Sequence, residues 1–222
     1  MTPRVSLSEA DRAFHEFVAD PGFSCLAGKG VARTGELQLH MYGELGSRRS
    51  AQALARDLGA FAAEVSDDAP LRAMVAVFPA TRPLDEVSFE ALLWRQLQLV
   101  HDLDARGMPW DPKVADDPDD PRFAFSHGGR ALFVVGMHPA SSRLSRRFRW
   151  PALVFNPHAQ FDMLRETGRF ERLREKVRER EVALQGTLNP NLADFGEQSE
   201  ARQYSGKAAE PGWGCPFHRN AP

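Results

Sequence analysis

Short apolar strands and amphipathic helices alternate along this chain, and that alternation limits the folds it can adopt. In residues 36–42, Leu37, Leu39 and Met41 alternate with polar side chains, which is typical of a half-buried strand. In residues 86–104 the apolar residues recur at helical spacing instead. The other predicted strands are 71–78, 131–137 and 152–155, and the other predicted helices are 8–19, 48–65 and 159–184. We therefore expect an α/β or α+β fold with a mixed central sheet flanked by helices.

The C-terminal residues 189–222 differ in character from the rest of the chain. They hold few aliphatic side chains, but they carry several large aromatic ones, which a disordered tail seldom does. These aromatic residues are Phe195, Tyr204, Trp213 and Phe217. We expect an ordered, mostly irregular arm that packs on the core. Because no convincing boundary interrupts the sequence, we interpret residues 1–222 as a single domain.

Composition excludes several classes of protein. The 222 residues carry a formal net charge of −2, which is unlike a general nucleic-acid binder. No apolar run reaches the 18 residues of a membrane span, and the N-terminus lacks the features of a secretory signal. Two cysteines, Cys25 and Cys215, fit a reducing compartment better than a disulfide framework. These features predict a cytoplasmic protein with neither a nucleic-acid nor a membrane partner.

Glycines and charged residues give further local predictions. Two glycines in residues 23–30 indicate a loop, and Gly128 with Gly129 indicates a hairpin turn after His127. Gly168 is a candidate kink in the long predicted helix 159–184. Three basic residues of that helix are expected to be solvated, namely Arg172, Arg174 and Arg178.

Two histidines follow two apolar strands. His138 comes after the strand 131–137, and His158 comes shortly after the strand 152–155. If these strands are neighbours and parallel, both histidines lie at one edge of the sheet, where ligands bind in open α/β sheets. A cap or a hydrogen-bonded loop residue is the alternative interpretation for each histidine taken alone. The pair predicts a ligand site at that edge.

Basic residues separate the two histidines. They are Arg143, Arg146, Arg147 and Arg149. Guanidinium groups bind carboxylates and phosphates through paired hydrogen bonds, so the cluster is either an anion-binding site or a solvated loop. Histidine combined with arginines suits two ligands: a flavin nucleotide such as FMN, or a heme, whose iron takes an imidazole and whose propionates take arginines. Periodicity does not choose between them.

Carboxylates cluster in the C-terminal arm. Asp194, Glu197 and Glu200 lie within seven residues of one another. They form either a solvated turn or a site for a cationic substrate, because a carboxylate accepts paired hydrogen bonds from a guanidinium.

Four segments of the sequence resemble the YqcI/YcgG family. They read FSCLAGKGVA, FVVGMHPASSRLSRRFRWPALVFNPHAQFDMLRETGRF, LQGTLNPNLADFGEQSEARQYSG and GWGCPF. Together they extend over nearly the whole chain. Some members of this family are heme-dependent N-hydroxylases of guanidino compounds. The resemblance implies heme b as a cofactor, a cationic small molecule as substrate and an unidentified electron donor.

The resemblance also implies roles for individual residues. His158 would be the proximal iron ligand, and His138 would be the second residue of the heme pocket. Arg143, Arg146 and Arg147 would hold the propionates, and Glu197 and Glu200 would hold the substrate cation. Two alternatives stay open at this point, a flavin-binding reductase and a non-catalytic heme-binding or sensor protein. The oligomeric state is open too, with a homodimer among the possibilities.

Overall fold

Five strands form one mixed sheet at the centre of the molecule. The computed structural model describes residues 5–66, 70–82, 84–104 and 107–220. The strands are β1 (Leu37–Met41), β2 (Ala73–Val77), β3 (Phe125–His127), β4 (Arg130–Met137) and β5 (Ala152–Pro157), arranged in the order β1-β2-β5-β4-β3. Strands β1 and β2 run parallel, and every other neighbouring pair is antiparallel. The expected mixed sheet flanked by helices is confirmed.

Helices cover both faces of this sheet. They are α1 (Leu7–Ala19), α2 (Leu26–Thr34), α3 (Arg48–Ala63), α4 (Glu86–Asp104), α5 (Ala159–Glu166), α6 (Phe170–Gln185) and α7 (Ala201–Tyr204). Helices α3 and α4 pack on one face, while α1 and α2 pack on the other. Within the described residues, every helix falls short of the length and apolar character needed to cross a membrane.

The sheet separates two apolar cores. Along β5, Leu153 and Phe155 point into the core under α3 and α4, whereas Ala152 and Val154 point into the core under α1 and α2. This alternation follows from the two-residue period of a strand. A side chain's position along a strand therefore decides which face, and which candidate site, it belongs to.

Three segments that contain glycines can be compared with the elements predicted for them. The segment 23–30 contains the start of helix α2 instead of a loop, because the Sγ of Cys25 accepts a hydrogen bond from the backbone of Gly28 at 3.3 Å and caps the helix. The predicted helix 159–184 is two helices, separated at Gly168, whose φ of +64° ends α5. The hairpin between β3 and β4 is confirmed.

The two strands that precede the histidines do not run parallel. Strand β4 pairs antiparallel with β5, so Leu132 lies opposite Pro157 and Met137 lies opposite Ala152. The parallel arrangement on which a shared histidine edge depended is therefore wrong. The connection between these strands is a loop with one short 3-10 turn, Leu144–Arg146, which returns the chain beside the strand it just left.

The C-terminal arm packs into the core under α4. Tyr204 and Phe217 are both completely buried. The hydroxyl of Tyr204 accepts a hydrogen bond from the backbone of Phe125 at 3.0 Å, and its ring stacks on Trp94. Apart from the short helix α7, the arm is irregular, as expected.

Candidate functional site

A cavity lies between the central sheet and helix α6. It has two compartments of about 230 and 250 Å³ that share lining residues on the strands and on the helix. Phe133, Val135 and Asn156 line both compartments from the sheet side, while Val177 and Arg178 line both from α6. Mostly apolar walls with a few polar groups are typical of sites that bind small molecules.

Helix α6 spans the cavity instead of filling it. None of the described side chains of α6 is buried. The helix is held at one edge by an ion pair between Arg143 and Glu181, in which Nη2 lies 2.6 Å from Oε1. Burial raises the pKa of Glu181, but hydrogen bonds from Ser24 and Arg143 outweigh that effect and hold its pKa below the ordinary value. Glu181 is therefore ionised at neutral pH, and its carboxylate is the ion-pair partner of the Arg143 guanidinium.

Only one of the three arginines assigned to cofactor binding lines the cavity. Arg146 lies in the wall of the smaller compartment and donates from Nη1 to the backbone oxygen of Tyr204 at 2.9 Å. Burial lowers its pKa to about 10, so it stays charged at neutral pH. Among the described residues no carboxylate lies within 4 Å of its guanidinium. Arg147 donates from Nε to the backbone oxygen of Ser141 at 2.6 Å.

A buried histidine–carboxylate pair reaches the larger compartment through Glu200, whereas His158 is not among the residues that line either compartment. His158 follows β5, and Glu200 precedes α7. The Nε2 of His158 lies 3.0 Å from Oε1 of Glu200, and the two side chains are 6% and 8% exposed. Glu200 lines the cavity, and its second oxygen, Oε2, is buried without a hydrogen-bond partner among the described residues. The pair thus combines a fixed imidazole with an unused acceptor.

His138 lies at the other end and on the other face of the sheet. Because β4 and β5 are antiparallel, the end of β4 is remote from the end of β5, and the ring of His138 stacks on Phe89 of α4 at 4.3 Å. Both of its ring nitrogens are buried with no hydrogen-bond partner in the part of the chain that the structure describes, and burial lowers its pKa. The structure therefore does not bring His138 and His158 together, and His138 is not among the residues that line the cavity.

The carboxylates of the arm separate into different surroundings. Glu197 is exposed, and its Oε2 accepts a hydrogen bond from the backbone of Asp194 at 3.1 Å. Asp194 forms ion pairs with Arg174 and Arg178. All three of these paired residues line the larger compartment, so the expectation that Arg174 and Arg178 are simply solvated is wrong. The sequence did contain a signal for this: Arg174 and Arg178 are four residues apart, which places both on one face of a helix.

Several lining residues carried no prediction as site residues, and three of them have polar side chains or a thiol and line both compartments. These three are Asn156, Gln203 and Cys25. Burial raises the pKa of Cys25, which keeps its thiol neutral. Asn156 did have a signal in the sequence: it is a polar residue that continues the apolar run 152–155.

Comparisons with known proteins show the family to which this chain belongs. The family model described as "YqcI/YcgG family" matches residues 14–218. A Bacillus subtilis (strain 168) protein named "Uncharacterized protein YcgG" is 27% identical over 191 residues, which cover 82% of this chain and 75% of that protein. A second, "Uncharacterized protein YqcI" from the same strain, is 25% identical and covers 82% and 74%. No solved structure matches this chain significantly. The chain belongs to the YqcI/YcgG family.

Proposed function

We propose that this chain is a heme-dependent oxygenase that N-hydroxylates a guanidino or related cationic small molecule in the cavity under α6. The observation that carries the proposal is the half-used carboxylate of Glu200. Its Oε1 is bonded to His158, while Oε2 is buried without a donor among the described residues, on a residue that lines the cavity. An unmet buried acceptor destabilises a protein by about 1–3 kcal/mol, more when it is charged, unless a ligand supplies the donor. A guanidinium supplies such donors together with the opposite charge.

The same pair suits His158 as an iron ligand. A carboxylate only accepts hydrogen bonds, so the proton of the imidazole lies on Nε2 and the lone pair lies on Nδ1. Histidines that bind metals through one nitrogen commonly donate the other N–H to a carboxylate, which fixes the ring and raises its basicity. Glu200 would therefore be a positioning residue for His158 as well as an acceptor for the substrate.

The cavity walls suit the rest of a heme. Phe133, Val135 and Val177 offer apolar surface to a macrocycle. Arg146 is a cation in the wall to which a propionate would bind. Arg178 also lines the cavity but is paired with Asp194, and Arg143 and Arg147 are engaged elsewhere. When bound, the heme would supply oxygen activation. The protein would supply the binding, the orientation and the exclusion of water that strengthens the pairing of Glu200 with a cation.

An absorption spectrum of the purified full-length protein tests the cofactor. We expect a Soret band after reconstitution with hemin. His158→Ala should abolish stoichiometric heme binding, and the matched control His138→Ala, at the other end of the sheet, should keep it. A flavin absorption doublet in place of the Soret band would favour the reductase alternative. A full Soret band in His158→Ala would exclude His158 as the ligand.

Turnover tests the reaction itself. The heme-loaded protein, supplied with arginine, a reductant and oxygen, should release an N-hydroxylated product detectable by mass spectrometry. Glu200→Gln should reduce this product strongly, while Glu197→Gln on the surface should not. Stable heme binding without product from arginine or related guanidino compounds would favour the heme-binding sensor instead.

A further inference from the structure

Two neutral side chains in the cavity join Glu200 as hydrogen-bond acceptors. We propose that Asn156 and Gln203 determine specificity by accepting hydrogen bonds from the N–H groups of the cationic substrate. The inference rests on the proposed function, because it assumes that a cation binds at Glu200. It adds the chemical feature by which the site would distinguish a guanidinium from an ammonium group.

Asn156 lines the cavity, and one contact orients its side-chain amide. The residue follows the apolar part of β5, and its side chain lies on the cavity face opposite Phe133. Its Nδ2 donates to the backbone oxygen of Phe133 at 3.2 Å. A backbone carbonyl can only accept, so this contact orients the amide group and uses one of its two N–H donors. Oδ1 is then the acceptor left for a ligand.

Gln203 is oriented by the same principle. It is 5% exposed and lines both compartments. Its Nε2 donates to the backbone oxygen of Ala193 at 3.2 Å, which leaves Oε1 as the free acceptor. Gln203 follows Glu200 by three residues, and its backbone N–H donates to the backbone oxygen of Glu200 at 2.8 Å, so the two side chains leave the same turn. The arm thereby supplies one charged and one neutral acceptor.

The proposed set of acceptors favours a cation with many donors. A guanidinium is planar and carries five N–H groups when it is attached to a side chain, whereas an ammonium has three on one nitrogen. Glu200 alone attracts either cation. Fixed carbonyl oxygens add discrimination, because a ligand that cannot reach them leaves their lone pairs without donors in the cavity. Their loss should therefore reduce selectivity more than it reduces general cation binding.

Calorimetric titration of the purified full-length protein with L-arginine and L-lysine tests this inference, since the two probes differ in the cationic group. We expect the wild type to prefer arginine by about tenfold or more, corresponding to one hydrogen bond between charged and neutral groups. Gln203→Leu and Asn156→Leu should each reduce the preference to about threefold or less, and Gln203→Asn, which keeps a neutral amide acceptor, should reduce it less than Gln203→Leu does. Gln52→Leu, an exposed change on α3, is the matched control and should alter nothing.

The outcomes separate this inference from the proposed function. If both probes bind, Glu200→Gln weakens both, and Gln203→Leu leaves the ratio of affinities unchanged, the amides do not determine specificity although the cation site stands. If neither probe binds the wild type, the cation site and this inference both fail. Circular dichroism checks that each variant is folded, and the Gln203 pair of variants decides the question if Asn156→Leu does not fold.

Discussion

The Nε2 of His158 contacts Oε1 of Glu200 at 3.0 Å although the two residues are 42 positions apart in the chain. The contact exists because β5 ends at the wall of the cavity and the C-terminal arm returns to the same place through Phe195, whose ring lies 4.7 Å from the imidazole of His158. Removing the charge of Glu200 while keeping its shape isolates what this contact does.

Glu200→Gln should leave the fold intact and weaken the binding of a cation. The amide can still accept the N–H of His158, so we expect the melting temperature to fall by no more than a few degrees. Binding of a guanidinium probe should weaken about tenfold to a hundredfold, because hydrogen bonds to charged groups contribute about 1.5–3 kcal/mol. Calorimetry with L-arginine measures this change, and Glu197→Gln is the control. Unchanged affinity in Glu200→Gln would remove Glu200 from the site.

Because of Glu181, the free energy of unfolding should decrease as the pH becomes acidic. Its folded pKa lies below its ordinary value, so its contribution is fully present above the unfolded pKa of about 4.3 and is lost as pH falls through the lower folded pKa. Glu181→Gln should destabilise the protein by about 3–5 kcal/mol at pH 7, because Arg143 is left buried without its partner. Urea denaturation at pH 7 and near pH 3.5 measures the free energy of unfolding of the variant and the wild type. The difference between the two proteins should be smaller near pH 3.5 than at pH 7.

The exposed Glu179 on the same helix provides the control for Glu181. Glu179→Gln should leave the free energy of unfolding within about 0.5 kcal/mol of wild type at both pH values. A gap between Glu181→Gln and wild type that is as large near pH 3.5 as at pH 7 would show that the ionised carboxylate is not what stabilises this edge of α6.

Gly136 allows α4 and the arm to approach β4 closely. A Cβ there would lie 2.7 Å from side-chain atoms of Leu93 and Phe89 and 2.9 Å from the backbone oxygen of Tyr204. Gly136→Ala should therefore destabilise the protein by about 1–3 kcal/mol. Gly30→Ala, inside α2 with open space around it, should instead stabilise it by about 0.5–1 kcal/mol. Thermal denaturation of both variants checks the sign of each change, and similar shifts in the two would contradict the close approach at β4.

Phe217 contributes to the core from the end of the arm. It is completely buried and its ring packs against those of Phe123, Phe125, Trp110 and His101. Phe217→Ala should reduce the free energy of unfolding by about 3–5 kcal/mol. His218→Ala, next to it and exposed, should change it by less than about 0.5 kcal/mol. A loss below 1 kcal/mol in Phe217→Ala, measured by urea denaturation, would show that the arm is not part of the core.

The sequence predicted the elements better than their arrangement. Apolar residues that recur every second position predict strands, and those that recur at helical spacing predict helices. Both patterns are local, because each buried side chain lies at a regular interval along its own element. Whether β4 and β5 run parallel depends on how the loop between them returns, and a loop of polar and basic residues carries no periodic signal. His138 was therefore placed with His158 although the antiparallel pairing separates them. Glu200 was predicted as a carboxylate of the arm that holds the substrate cation, and that role stays a prediction. Its contact with His158 is long-range and carries no signal in the sequence.

Helix α2 shows a second reason why the sequence did not predict the whole fold. Gly28 and Gly30 favour a loop by intrinsic preference, since glycine costs about 1 kcal/mol in a helix relative to alanine. The cap by Cys25 and the burial of Val31 stabilise the helix instead. Tertiary contacts of this kind override local preference, and a single sequence does not display them.

The burial of Tyr204 and Phe217 also bears on how the chain is synthesised. The core under α4 joins residues that are far apart in the chain, from Tyr42 to Phe217. During translation, α3, α4 and the sheet emerge from the ribosome well before the residues that complete their packing. Until residue 217 has left the exit tunnel, the apolar surface that will receive Tyr204 and Phe217 stays open to water and to other chains. Slow or interrupted synthesis of the final segment would thus leave an aggregation-prone intermediate in which most of the secondary structure can already form.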